Sequence, residues 1–252
     1  MGGPVEVREV SPSVAQITMR DLEHKNTFSD RLIVGLSEAF KAVGANEAYK
    51  AVVLTGYGSY FASGGTKESL LRIQERKVKF TDSDLYSLAL DCPIPVISAM
   101  QGHGIGGGFA MGLFADFVVL SQESIYTANF MRYGFTPGMG ATLVLPKKLG
   151  YSLGTAMLMS AKTYYGHELR TLGVPFPVLP RAEVLPHAVE LAEALVEKPR
   201  ISLVTLKDHM VADIRAELPA YIDREVAMHD KTFHQPEVRD LIAAQYIGGN
   251  RT

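Results

Sequence analysis

The chain contains no tryptophan and a single cysteine, Cys92. A lone thiol excludes an intramolecular disulfide and any zinc site built from several cysteines. No apolar run reaches the ~18 residues that a membrane-crossing helix needs, and the opening residues MGGPVEVREV lack the basic and apolar segments of a secretion signal. A cytoplasmic location is the expectation. Neither sign of charge dominates, since 25 Lys and Arg stand against 27 Asp and Glu, with an isoelectric point near 6.4. There is no electrostatic footprint for nucleic acid. The sequence also has no G-x-S-x-G elbow, no Walker A motif, no H-E-x-x-H, no internal repeat and no low-complexity stretch. What is present is an ordinary globular composition over 252 residues, 47% hydrophobic and 21% charged. Such a chain buries roughly 70–75% of its unfolded surface.

Glycine and proline punctuate the pattern. Val5–Val10 and Val14–Met19 read as short neighbouring strands around Ser11-Pro12. From Ser29, a plausible helix N-cap, Leu32, Ile33, Leu36, Phe40 and Val43 recur at helical spacing as far as Gly44. Strands are expected at Ala51–Thr55, Pro95–Met100 and Asp116–Leu120, with a helix starting at Gly106. This is α/β alternation. After Thr142 strand signals thin out. Val184 to Leu195 marks one helix, and Leu203, Leu206, Met210 and Ile214 mark another after Lys198-Pro199.

Two segments concentrate glycine just after expected strands, FASGGT (Phe61–Thr66) and QGHGIGGGFAMG (Gln101–Gly112). Glycine lets backbone N–H groups approach a ligand with no side chain between, and the second loop also opens a helix, whose first N–H groups suit an anionic oxygen. Tight turns use glycine for no chemical reason, so that reading stays open. Gly102-x-Gly104-x-x-Gly107 also fits a dinucleotide fingerprint, but Glu123, the nearest candidate for the acidic residue expected ~20 positions on, lies early and in a loop-like context.

The runs KAVVLTGYGSYFASGGT, CPIPVISAMQGHGIGGGFAMGLFADFVVLS and GFTPGMGAT, in that order, resemble the crotonase (enoyl-CoA hydratase/isomerase) superfamily, and the resemblance covers essentially the whole chain. It implies an α/β fold, a spiral of ββα units with a helical C-terminal region: residues 1–198 as the core and 199–252 as the helical part of one structural domain. It also implies an oxyanion hole from the backbone N–H groups of Gly65 and Gly107. Two such donors stabilise a thioester enolate, and loss of one typically costs ~3–4 kcal/mol of barrier.

The two glutamates that hydratases of this superfamily use fall at Ala110 and Phe130, which cannot titrate. A general acid or base must exchange a proton, so ordinary hydration is not expected. Asp116 and Glu123 are nearby substitutes, although Asp116 belongs to the structural A-D stretch. An oxyanion hole without the acid–base pair suits a reaction that forms an enolate by losing CO2.

Within the superfamily, YFASGG, LLRIQ, KFTD, LYSLALDC, YTANF, LVTLKDH and MHDKTFH resemble the polyketide β-branching decarboxylases, which convert 3-methylglutaconyl-carrier protein to 3-methylcrotonyl-carrier protein. That resemblance implies a catalytic pair at Lys79 and His229, an acyl carrier protein presenting substrate on phosphopantetheine, a polyketide synthase assembly line as setting, and a homotrimer. It implies no further cofactor. From the residues alone, Lys67, Lys77 and Lys79 all read as solvated lysines, and His209 and His234 compete with His229. The spacing of five between His229 and His234 is not that of a helical zinc site, so no metal is expected. Phe80, Met111, Phe130 and Phe135 are candidates for the apolar pocket wall.

Overall fold

A computed structural model describes residues 3–246. It opens with the antiparallel hairpin β1 (Val5–Ser11) and β2 (Val14–Met19), turned at Ser13. Ser29 then accepts from the Leu32 N–H, capping α1 (Asp30–Ala45). Three times the chain now lays down one long strand, one short strand and a helix. The first turn is β3 (Ala51–Thr55), β4 (Tyr60–Ala62) and α2 (Lys67–Gln74), leading to the short helix α3 (Leu88–Asp91). The second is β5 (Val96–Met100), β6 (His103–Ile105) and α4 (Gly107–Leu113). The third is β7 (Phe117–Ser121), β8 (Ile125–Thr127) and, after a 3-10 turn at Asn129–Tyr133, α5 (Ala141–Leu149). Then come α6 (Tyr151–Ser160), β9 (Thr163–Tyr165), α7 (Gly166–Thr171), β10 (Val178–Leu179) and α8 (Arg181–Val196). The last elements are α9 (Arg200–Thr232) and α10 (Pro236–Gln245).

Long strands form one sheet in the order β1-β2-β3-β5-β7-β10, and short strands a second in the order β4-β6-β8-β9. Each ββα turn therefore contributes one strand to each layer, which is the spiral the motifs imply. Strand alternation divides the core. Val52 and Leu54 face the main cluster with Phe61, Phe109 and Tyr126, while Ala51 and Val53 pack with Val184, Ala188 and Ala192 of α8.

Helix α9 runs for 33 residues, and its buried face differs from the expected apolar stripe. Leu206 and Met210 are 60% and 68% exposed, whereas Lys207, Glu225 and His229 are buried among Leu203, Val211, Leu218 and Ile222. The reason is pairing. Lys207 Nζ lies 2.8 Å from Asp116 and donates to the Ala89 and Ile94 carbonyls, and the same carboxylate accepts from the Val96 N–H. A buried charge is tolerated when opposed and hydrogen-bonded, and counting charged positions as outward reverses this face. Asp116 is thereby a structural carboxylate.

Candidate active site

The two glycine loops meet. Gly64 has a positive φ of 75°, and a β-carbon there would stand 2.9 Å from the Ile105 carbonyl oxygen and 3.7 Å from the Gly107 nitrogen. The Phe28 N–H donates to Gly64 O at 2.7 Å, so the peptide that carries the Gly65 N–H is fixed through its own oxygen. The Gly107 N–H belongs to a peptide whose oxygen, on Gly106, accepts from both Phe109 and Ala110. A peptide whose carbonyl is already hydrogen-bonded is polarised, which makes its N–H a better donor. Among the described residues neither the Gly65 nor the Gly107 amide has an acceptor. Gly107 is the first residue of α4, where no intrahelical acceptor exists.

Both amides open onto a cavity of about 650 Å³. Phe80, Phe130 and Phe135 line it, as do Lys79 and His229. Met111 is not in the wall: it is 1% exposed, inside the main core cluster, because it lies on the face of α4 turned away from the cavity. Ala110, where a hydratase glutamate would stand, is likewise fully buried outside the lining. Glu123 accepts from Ser121 Oγ and the Arg181 N–H away from the cavity. The carboxylates that do line it, Asp30 and Asp82, are exposed, and Asp82 accepts from the Lys79 N–H at 2.8 Å.

Of the three candidate histidines, His209 is exposed and His234 faces Gln74 O at 2.9 Å, whereas His229 is only 8% exposed in the cavity wall. Its ring packs against Phe80, Phe233 and Phe135, with centroids 4.9, 5.1 and 6.1 Å away. Nε2 is 2.8 Å from Thr136 O. A carbonyl only accepts, so this partner assigns the proton to Nε2 and leaves Nδ1 as an acceptor. Burial drives the His229 pKa down to about 4, with His234 adding to the shift and the Thr136 and Pro137 carbonyls and Asp230 opposing it. Such a histidine stabilises the fold fully above its unfolded value near 6.5, and that stability is lost as pH falls toward 4. The loss is roughly 3 kcal/mol. Glu225, whose burial pushes its pKa up against the Thr142 and Gly140 hydrogen bonds, works in the opposite sense, so its stabilisation falls as pH rises. Denaturant titrations from pH 7 to pH 4 therefore isolate His229 by difference: His229→Gln flattens the stability loss seen in the wild type.

Helix α9 also holds the loop beneath the ring. Glu225 accepts from the Gly140 N–H at 2.8 Å, the Thr142 N–H at 2.9 Å and the Thr142 hydroxyl at 2.6 Å, capping α5. Seven residues on, Thr232 Oγ1 accepts from the Thr136 N–H at 3.3 Å. Residues 225, 229 and 232 thus lie on one helix face and staple Thr136–Thr142. Within that loop Met139 lies against Gly107, and Gly138 has room for no β-carbon beside His229. Glu225→Ala strands the buried Gly140 amide and the half-buried Thr142 amide and is expected to lower the unfolding free energy by about 3 kcal/mol, measured by urea denaturation.

The lysines separate as well. Lys67 donates to Ala243 O and Lys77 pairs with Glu75, while Lys79 borders the cavity next to Phe80. Phe28, Met139, Glu225 and Tyr246, which hold or border the loops, were not evident in the sequence. Of these only Glu225 left a trace, at i−4 from His229. Among the described residues no group of three or more His, Cys, Asp or Glu is placed to hold a metal ion.

Comparison with known proteins agrees with this architecture. The enoyl-CoA hydratase/isomerase family model matches residues 9–246. The bacillaene synthase decarboxylase PksI of Bacillus subtilis (strain 168) is 62% identical over 242 residues, 96% of this chain and 97% of that protein. A solved structure from a dehydratase/decarboxylase enzyme couple involved in polyketide β-branching superposes with a TM-score of 0.96 at 61% identity, covering 97% of this chain and all of that one. The ECH2 decarboxylase domain of CurF from Lyngbya majuscula gives 0.92 at 47% identity, covering 96% and 99%. The chain belongs to the enoyl-CoA hydratase/isomerase family.

Proposed function

We propose that the protein is a carboxy-lyase of polyketide β-branching that converts 3-methylglutaconyl-acyl carrier protein to the 3-methylcrotonyl thioester. One observation carries this reading: two unpartnered amides, at Gly65 and Gly107, face a cavity whose wall has phenylalanine where a hydratase carries a glutamate. The site can stabilise a thioester oxyanion, but the two hydratase glutamate positions, Ala110 and Phe130, carry no carboxylate, and the acidic residues that line the cavity, Asp30 and Asp82, are exposed. The chain's similarity to the bacillaene synthase decarboxylase PksI and to the ECH2 decarboxylase domain of CurF supports decarboxylation.

In the proposed reaction the thioester oxygen accepts from Gly65 and Gly107 while the Lys79 ammonium orients the distal carboxylate. The C4–C5 bond breaks, CO2 leaves, and the electron pair flows through the C2–C3 double bond onto the thioester oxygen. A proton then joins C4 and the conjugated thioester re-forms. His229, neutral and with Nε2–H committed to Thr136, holds no spare proton at neutral pH. Lys79 is therefore the donor of the pair, and Nδ1 of His229 accepts a hydrogen bond that orients the donor or a water. Pairing with the carboxylate alone would stabilise the ground state, but the ammonium interacts more strongly with the dienolate it protonates. Phe80, Phe130 and Phe135 keep water from that anion.

The substrate arrives on the phosphopantetheine of an acyl carrier protein within a polyketide synthase assembly line, and no other cofactor takes part. The protein works in the cytoplasm, and no described helix is long and apolar enough to cross a membrane. The core over 1–198 and the helical part over 199–252, of which 1–2 and 247–252 lie outside the described residues, belong to one domain, assembled as a homotrimer; exposed Tyr151, Met159, Ile201 and Met210 are surfaces for such an interface to cover. Intact-mass spectrometry of 3-methylglutaconyl-carrier protein tests the reading. Enzyme-dependent CO2 loss supports it, and carrier binding with the acyl group intact overturns it.

A further inference from the structure

Helix α2 buries no residue completely, yet it begins two residues after Gly65 and leads toward Lys79. It is held from the C-terminal end of the chain. Lys67 Nζ donates to Ala243 O at 3.0 Å, His234 meets Gln74 O at 2.9 Å, and Arg239 lies 3.9 Å from Glu75. A fourth contact reaches the oxyanion loop itself: the Tyr246 hydroxyl donates to Gly65 O at 2.9 Å. Phe28 fixes the peptide before Gly65, so Tyr246 supplies the restraint on the peptide after it. The phenol lies in the cavity wall, its ring centroid 6.5 Å from that of Tyr133, and burial pushes its pKa up to about 12, which keeps it protonated.

We propose that Tyr246 is a positioning residue of the oxyanion hole: by donating to Gly65 O it holds the Gly65 backbone at the angle from which its N–H reaches the thioester oxygen. The inference rests on the decarboxylase reading. A donor displaced by a fraction of an ångström loses its advantage in the transition state more than in substrate binding. Tyr246→Phe keeps the ring packed on Tyr133 and removes only the hydroxyl.

The test is infrared difference spectroscopy of bound 3-methylcrotonyl-pantetheine labelled with carbon-13 at the carbonyl, alongside steady-state decarboxylation of the carrier-bound substrate. Wild-type protein shifts the thioester stretch to lower frequency. Tyr246→Phe is expected to lose much of that shift and to lower kcat about tenfold with KM little changed. Lys67→Met, which cuts the neighbouring tie without touching Gly65, retains the wild-type shift and kcat. An unchanged shift and kcat in Tyr246→Phe overturns the assignment. So does an equal loss in Lys67→Met, which would assign the effect to docking of α10 as a whole. If wild-type protein shows no shift, the oxyanion hole itself fails and the role of Tyr246 with it. A shift intact in the wild type and lost in Tyr246→Phe, with no CO2 released by either, keeps the positioning role and fails the decarboxylase reading.

Discussion

Lys79→Ala is expected to slow decarboxylation by about three orders of magnitude while leaving the thermal unfolding midpoint within a few degrees of wild type. The side chain is exposed at the cavity edge and contributes little packing, so stability has no reason to fall. In the proposed mechanism the variant loses two things at once: the cation that orients the leaving carboxylate and the proton that quenches the dienolate. His229 cannot substitute, because its pKa near 4 leaves it unprotonated at neutral pH. Lys79→Arg separates the two losses. It retains a cation for orientation but not a proton that transfers readily, so substrate binding should survive while turnover stays low. The measurement is intact-mass analysis of the carrier over time for all three proteins. Turnover by Lys79→Ala at the wild-type rate would remove the residue from the mechanism.

Gly64→Ala is the second large effect, expected at 10²–10³-fold in kcat. The added methyl enters a left-handed backbone conformation that disfavours a β-carbon, costing about 1–2 kcal/mol. It also meets the Ile105 carbonyl oxygen at 2.9 Å, a backbone atom of the second glycine loop. The loops must separate, and the amides of Gly65 and Gly107 then no longer converge on one oxygen. Gly58→Ala provides the comparison, since it has a similar positive φ of 50° but open space around the added methyl. Strain alone should leave kcat of Gly58→Ala close to wild type. Matching losses in the two variants would point to general destabilisation instead of a damaged oxyanion site.

Most of the spiral could be read from local pattern. Glycine clusters after apolar strands, a serine cap at Ser29 and the alternation of Val52 and Leu54 against Ala51 and Val53 are short-range signals, and the elements follow them. Of the candidate site, the two glycine loops stood out in the sequence because backbone exposed by glycine is a local signal, while Gly65 and Gly107 within them came from the family resemblance. Met111 misled because α4 is buried all round, so no periodicity distinguishes its cavity face from its core face. Helix α9 misled in the opposite way, since Lys207 and Glu225 point inward to partners more than 80 residues away in sequence. Tyr246 was invisible for the same reason. Its partner, Gly65, is 181 residues distant, and no pattern within a window of sequence encodes a contact of that range.

The two walls of the cavity differ in what it takes to move them. Thr136–Thr142 is bound to α9, and α9 is bound through Lys207 and Asp116 to the centre of the large sheet. Amide protons in that wall are therefore expected to exchange with solvent water only on global unfolding. The opposite wall, residues 67–79, has only the partly buried Leu70, Leu71 and Ile73 against the core and is otherwise tied by side chains, Lys67 to Ala243 O and His234 to Gln74 O, so its amides are expected to exchange through local opening. Hydrogen exchange will therefore divide a single cavity into a slow half and a fast half. On that expectation Lys79 lies on the half that opens first and His229 on the half that opens last.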